Sequence, residues 1–305
     1  MNVTYISLKG HVEIEKYRYF YFFMMLPVYI LIVCSNCTII SLIVIHKNLH
    51  EPMYIFIAGL LTNSVLFSTN IYPKLLADFL SREQVISLQA CLFQIFMFYS
   101  LSGSEFLLLA AMSYDRYVSI CKPLQYAIIM RKKIIFILLG LAWIVPFSHI
   151  AIFTAVFANL ELCSFTLNGI FCNNSINYLF CAGSKALLTF GLVTLFNIAI
   201  LPMLFVISTY VKILTVVYKS CREVRRKAAQ TCLPHLLVLI NYSCLMTYDM
   251  IIIRLESNFP KTARFIMTLQ MIMYNPLCNP IIYGLKMTEI YKHLKKLFYK
   301  VRHDC

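Results

Sequence analysis

The chain has 305 residues, of which 60% are hydrophobic and only 13% charged, and it carries a formal net charge of +14. Soluble domains are nearer half apolar and a quarter charged, so this composition excludes an ordinary soluble protein and points to a membrane.

Seven segments, at about 20–46, 53–77, 91–118, 134–158, 186–216, 231–256 and 263–285, reach the roughly 20 residues that a helix needs to cross a hydrocarbon layer. They predict an all-α membrane protein, a seven-helix bundle over 20–285, with an N-terminal segment 1–19 and a tail 286–305. The first apolar run is too long for a signal peptide and lacks a small-residue cleavage site, so it reads as a retained signal anchor. The connections are short and leave no room for a soluble catalytic domain. The segments 45–52, 115–133, 212–230 and 286–305 together hold 18 Lys and Arg against five acids, which makes their side cytoplasmic and the N-terminus extracellular. The positive charge is thus an orientation signal facing anionic lipid, and nucleic acid is not an expected partner.

Along the chain, Asn2 opens an extracellular Asn-Val-Thr sequon, an expected glycosylation site. Cys91 begins the third span and Cys163, Cys172 and Cys181 lie in the longest outer loop, on the oxidising side; these four cysteines allow three pairings. Glu105 is an acid deep in the third span, and it shares one helical stripe with Phe98, Ser102, Leu109, Met112 and Arg116. The stretch MSYDRYVSICKPLQY then strands Asp115, Arg116 and Tyr117 at the cytoplasmic mouth. His149, beside Pro146 in span four, reads as a packed histidine. In span seven, PLCNPIIY combines Pro280, which kinks the helix, with Asn279, expected to bond the freed carbonyls or water, and Tyr283, expected to reach toward the bundle axis. The tail interleaves Lys292, Lys295, Lys296 and Lys300 with Tyr291, Leu294, Leu297 and Phe298, the pattern of an amphipathic interfacial helix, with Cys305 at its end. No repeat of the transporter kind, nucleophile with its base, or spaced metal-ligand set is present, so transporter, channel and enzyme readings fall behind that of a receptor. No metal or cofactor is expected.

The order Asn36, LHEPMY, MSYDRYVSICKPLQY, Ser208-Thr209-Tyr210, KAAQTCLPHL and NPIIY resembles that of odorant receptors of the rhodopsin-like G-protein-coupled family, over essentially the whole chain. The Glu-Pro-Met-Tyr and Thr-Cys-Leu-Pro-His forms are similar to those of fish receptors. The resemblance implies a plasma-membrane receptor that binds a small-molecule odorant and activates a heterotrimeric, olfactory-type stimulatory G protein; the alternative is a rhodopsin-like receptor for another small ligand. It implies that Asp115 holds Arg116 at rest, that Tyr210 and Tyr283 stabilise the open form, and that Lys227, Thr231 and His235 sit on the moving inner end of span six. It also implies the disulfides Cys91–Cys172 and Cys163–Cys181, and matches Glu105 to the family's acid in span three. Two departures stand out. Thr62-Asn63-Ser64 replaces an acid in span two, which puts a sodium site beside Glu105 in doubt, and Asn241-Tyr242-Ser243 displaces the usual aromatic pair of span six.

Helical spacing and the resemblance together aim one set of residues at an outer cavity: Phe98, Tyr99 and Ser102 of span three, Thr194 and Ile198 of span five, Ser243, Met246, Thr247 and Met250 of span six, and Leu269 and Ile272 of span seven. Affinity for a small, weakly polar ligand is then expected from apolar burial, at about 25 cal/mol per Å². Tyr99, Ser102 and Thr247 would set its orientation. Asp249 is expected in a salt bridge near water, with Arg254, Lys261 or Arg264 as its partner.

Overall fold

A computed structural model describes the backbone of residues 4–181, 185–219, 222–254 and 260–304, with side chains described throughout except at 185–188, 224, 227–231, 250–254 and 298–304. Asn2, Cys305 and the side chains of Lys227, Thr231, Met250 and Arg254 lie outside the described residues.

The spans are the helices Ile14–Ile45, Pro52–Leu80, Leu88–Cys121, Lys132–Ala158, a composite fifth, Arg222–Arg254 and Lys261–Lys286. The fifth runs as Lys185–Leu195, a π-helical turn Phe196–Ile200, and Leu201–Tyr218. The tail follows as a separate helix, Thr288–Asp304. Among the described residues, spans one to five are long and apolar enough by composition to cross a membrane. Spans six and seven, of 33 and 26 residues, are long enough to cross and pack in the same bundle. Most helices overrun their apolar segments. Hydropathy marks only the part in hydrocarbon, whereas helical hydrogen bonding continues until a cap or breaker intervenes. Pro52 starts span two at a position that needs no N–H donor, and the Ser87 hydroxyl caps span three by accepting from the Ala90 N–H at 3.3 Å.

Span three is the axis of the bundle, with 78% of its apolar window buried against 22% in spans four and five. Small residues let its neighbours close in. A Cβ on Gly103 would lie 2.3 Å from Ile198 Cγ2 and 2.9 Å from Pro146 Cβ, so spans four and five approach span three at the one site where it has no side chain. The π-helical turn carries Ile198 into that contact.

The outer mouth is closed by a small sheet that hydropathy does not reveal. Strand β1 (Tyr5–Leu8) lies between β2 (Val85–Ser87), antiparallel, and β3 (Thr166–Leu167), parallel. The N-terminus is thereby stitched to both the first and the second outer loop. Gly10 continues the seam, since its N–H donates to Gly169 O at 3.1 Å and an added Cβ would meet the Gly169 backbone at 2.4 Å.

His11 follows and turns inward, only 6% exposed, with its ring 5.9 Å from that of Phe79 and 6.3 Å from that of Phe265. Neither ring nitrogen meets a hydrogen-bond partner among the described residues. Burial pushes its pKa from 6.5 down to about 4, and the charges of Lys74 and Lys261 add to the shift. An imidazole released from this site binds a proton more readily than the docked one. Docking is therefore at full strength above pH 6.5 and weakens as the pH falls from there toward 4, by up to about 3 kcal/mol. Hydrogen exchange at Tyr5–Leu8, corrected for intrinsic rates, should accelerate across that window in the native chain. It should lose this dependence in His11→Phe; the same profile in both would mean that His11 does not hold the strap.

Candidate functional site

The cytoplasmic end of span three is a bonded cluster. Asp115 is buried and takes Arg116 Nη2 at 2.6 Å and Nε at 3.1 Å through Oδ2. Its other oxygen accepts the Tyr126 hydroxyl at 2.8 Å. Tyr126 begins the short helix Tyr126–Ile129 of the inner loop, and sequence reasoning gave it no role. Its place in MSYDRYVSICKPLQY, eleven residues after Asp115, was the available signal. Tyr117 is half-buried beside the cluster and carries Lys212 Nζ over its ring at 5.8 Å.

Above this cluster, His235 joins three spans. Its Nδ1 lies 2.6 Å from the Tyr210 hydroxyl of span five, and its Nε2 lies 2.9 Å from Leu109 O of span three. With both nitrogens in use and no exposed surface, His235 is a polar rivet in an otherwise apolar layer. Tyr283 is fully buried, and its hydroxyl has no hydrogen-bond partner among the described residues.

The membrane midplane holds a second polar cluster. Glu105, 1% exposed, accepts from Asn275 Nδ2 at 2.8 Å and Asn279 Nδ2 at 3.2 Å. Asn279 Nδ2 also reaches Ser64 Oγ at 2.9 Å. Span two thus presents a hydroxyl here and no acid, while Asn63 donates to Leu101 O at 3.0 Å. Of the two partners expected for Asn279, the carbonyl freed by Pro280 is not the one it takes. Pro280 has no N–H, so Pro276 O loses its helical donor, and it is Asn36 Nδ2 of span one that replaces it at 3.0 Å. His149 Nδ1 lies 3.0 Å from Val145 O, a local contact within its own helix.

In the outer half, the predicted lining residues are packed together. Phe98 is fully buried, with ring centroids 5.1 Å from Phe67, 4.9 Å from Tyr99 and 5.2 Å from Phe171 of the second outer loop. Ser102 donates to Phe98 O at 2.7 Å. Thr194, Ile198, Met246, Leu269 and Ile272 are buried, and Ser243 is half-buried. Thr247 is corrected. It sits on the exposed stripe of span six with Leu233, Ile240 and Cys244, and faces away from the bundle. Its hydroxyl donates to Ser243 O at 2.7 Å, so a polar residue meets lipid with its donor already satisfied. Tyr242, which sequence reasoning left without a role, is buried instead, donating to Ser102 O at 2.8 Å with its ring 4.8 Å from Phe106.

Asp249 also departs from expectation. It is 2% exposed, away from water, and accepts from the Tyr99 hydroxyl at 3.1 Å and Asn173 Nδ2 at 3.4 Å. The reason is the loop. Disulfides join Cys91 to Cys172 and Cys163 to Cys181, and the first holds residues 171–174 down over spans three and six.

The sequence profile of a family described as olfactory receptor matches residues 24–301. Olfactory receptor 4B13 of Mus musculus is 32% identical over 293 residues, covering 95% of this chain and 94% of the relative. Olfactory receptor 2A12 of Homo sapiens is 31% identical over 309 residues, covering 98% and 97%, and human olfactory receptor 51E1 is 32% identical over 306 residues, covering 99% and 96%. The chain therefore belongs to the olfactory receptor family: it is no enzyme but a multi-pass plasma-membrane receptor with a small-molecule odorant and a G protein as its partners.

Proposed function

We propose that this receptor binds its odorant between spans three, five, six and seven, beneath the second outer loop, and activates an olfactory-type stimulatory heterotrimeric G protein through Arg116. Phe98, Tyr99, Ser102, Ile198, Met246, Leu269 and Ile272 supply most of the ligand surface. The bonds of His235 to both Tyr210 and Leu109 O carry the reading. They tie span six to spans five and three one turn or more above Arg116, so an outward swing of span six has to break at least one of them. Tyr210 freed in this way becomes available to Arg116, which leaves Asp115 to meet the G-protein α subunit. Pro280, with its replaced backbone donor, gives span seven a place to bend. The basic tail and inner loops lie against anionic lipid.

The test is cyclic AMP in cells with and without the olfactory-type stimulatory α subunit, over a panel of small volatiles and amino acids. A response that requires the subunit supports the reading. A ligand response of equal size without it overturns the coupling.

A further inference from the structure

The buried acids of this bundle are not equally well satisfied. Asp78 lies against Lys74 and Asp115 against Arg116, while Glu105 takes two side-chain amides at 2.8 and 3.2 Å. Asp249 has only the neutral donors Tyr99 and Asn173, at 3.1 and 3.4 Å, and no cation within ion-pair distance among the described residues. Charge-assisted hydrogen bonds to a carboxylate usually run about 2.7–2.9 Å, and a carboxylate has roughly four acceptor positions. A carboxylate buried this deeply without a counter-charge is costly to hold. A compact cation carrying several N–H donors is the chemistry that complements such a group.

Its position suits such a partner. Asp249 lies on the outer half of span six, and both of its donors belong to the closure of the mouth. Asn173 follows the disulfide-bonded Cys172, and the Tyr99 hydroxyl that donates to Asp249 also accepts from the Asn174 N–H at 2.8 Å. Tyr99 continues into the aromatic cluster of Phe98, Phe67 and Phe171, whose ring faces attract cations and whose edges accept apolar groups. We propose that Asp249 is the anchor for a protonated amine, whose ammonium takes the place of Asn173 and loosens the second outer loop while its hydrocarbon part packs on the Phe98 cluster. This rests on the outer half of the bundle being the ligand site. It narrows the odorant to amines that are protonated at neutral pH and otherwise apolar, and disfavours carboxylic acids, which the same carboxylate repels.

The experiment compares matched pairs, 2-phenylethylamine with 2-phenylethanol and octylamine with octanol, together with octanoic acid, all at pH 7. Binding is read by thermal unfolding of the purified receptor, and signalling by cyclic AMP at matched surface expression. Amines are expected to raise the unfolding temperature at concentrations at least tenfold below those of the alcohols, and octanoic acid is expected to have no effect. Asp249→Asn should raise the amine concentration needed by about 10- to 100-fold, the scale of a lost charge-assisted bond. Asp249→Glu, which keeps a carboxylate at this place, should retain the preference for amines over alcohols even if the Asn variant folds poorly, and its loss there would count against the proposal. Equal stabilisation by amines and alcohols, no stabilisation by either amine, or an unchanged amine response in Asp249→Asn overturns the proposal. Thermal unfolding needs no G protein, so a failure of coupling would show in cyclic AMP alone.

Discussion

Arg116→Ala should eliminate agonist-driven cyclic AMP while leaving the amount of receptor at the cell surface near that of the native chain. Among the described residues Arg116 is hydrogen-bonded to its neighbour Asp115 alone, at the cytoplasmic end of span three and away from the outer half of the bundle. Asp115 keeps the Tyr126 hydroxyl at 2.8 Å and is not left without a partner. Tyr126→Phe supplies the contrast. It removes that bond and leaves Arg116 intact, so a cluster that restrains Arg116 at rest predicts raised signalling without agonist. Full agonist response in Arg116→Ala, or unchanged basal signalling in Tyr126→Phe, would each contradict the latch.

Cys172→Ser should prevent delivery to the surface, whereas Cys163→Ser should reduce it less. The Cys91–Cys172 bond closes a sequence separation of 81 residues, against 18 for Cys163–Cys181. Constraint of the unfolded chain grows with loop length, and losing a native disulfide costs about 2–5 kcal/mol. The longer crosslink also positions more of the site. Cys172 N–H donates to Gln94 Oε1 at 2.9 Å, the Phe171 ring packs tilted against that of Phe98, and Asn173 reaches Asp249. Flow cytometry of tagged receptor decides the matter, and equal surface levels for the two variants would show that the two crosslinks contribute alike.

The sequence made the spans, their orientation and the cytoplasmic motifs legible because each rests on a local signal: an apolar run, an excess of Lys and Arg, or a charge pair stranded at a helix end. Facing was harder. Both sides of these helices are apolar, so what marks the interior is small and polar residues such as Gly103, Ser64 and Asn36. Thr247, aimed inward by helical spacing and the resemblance, faces outward because its hydroxyl is satisfied by its own helix. Asp249 was misread because its partner, Asn173, comes from a loop whose path depends on the Cys172 crosslink. The β1 strand, four residues long, has partners about 80 and 160 positions away and no alternation of its own that marks them.

That strand also bears on the cover of the outer cluster. Residues 7–10 pair with the same outer loop that covers Asp249, although they lie far from Asp249 in the chain. A change at Ser7 or Gly10 alters how firmly that cover is held without touching spans three, six or seven. The amino-terminal segment is thus a second place, besides the residues of the bundle, where a substitution reaches the cover of Asp249.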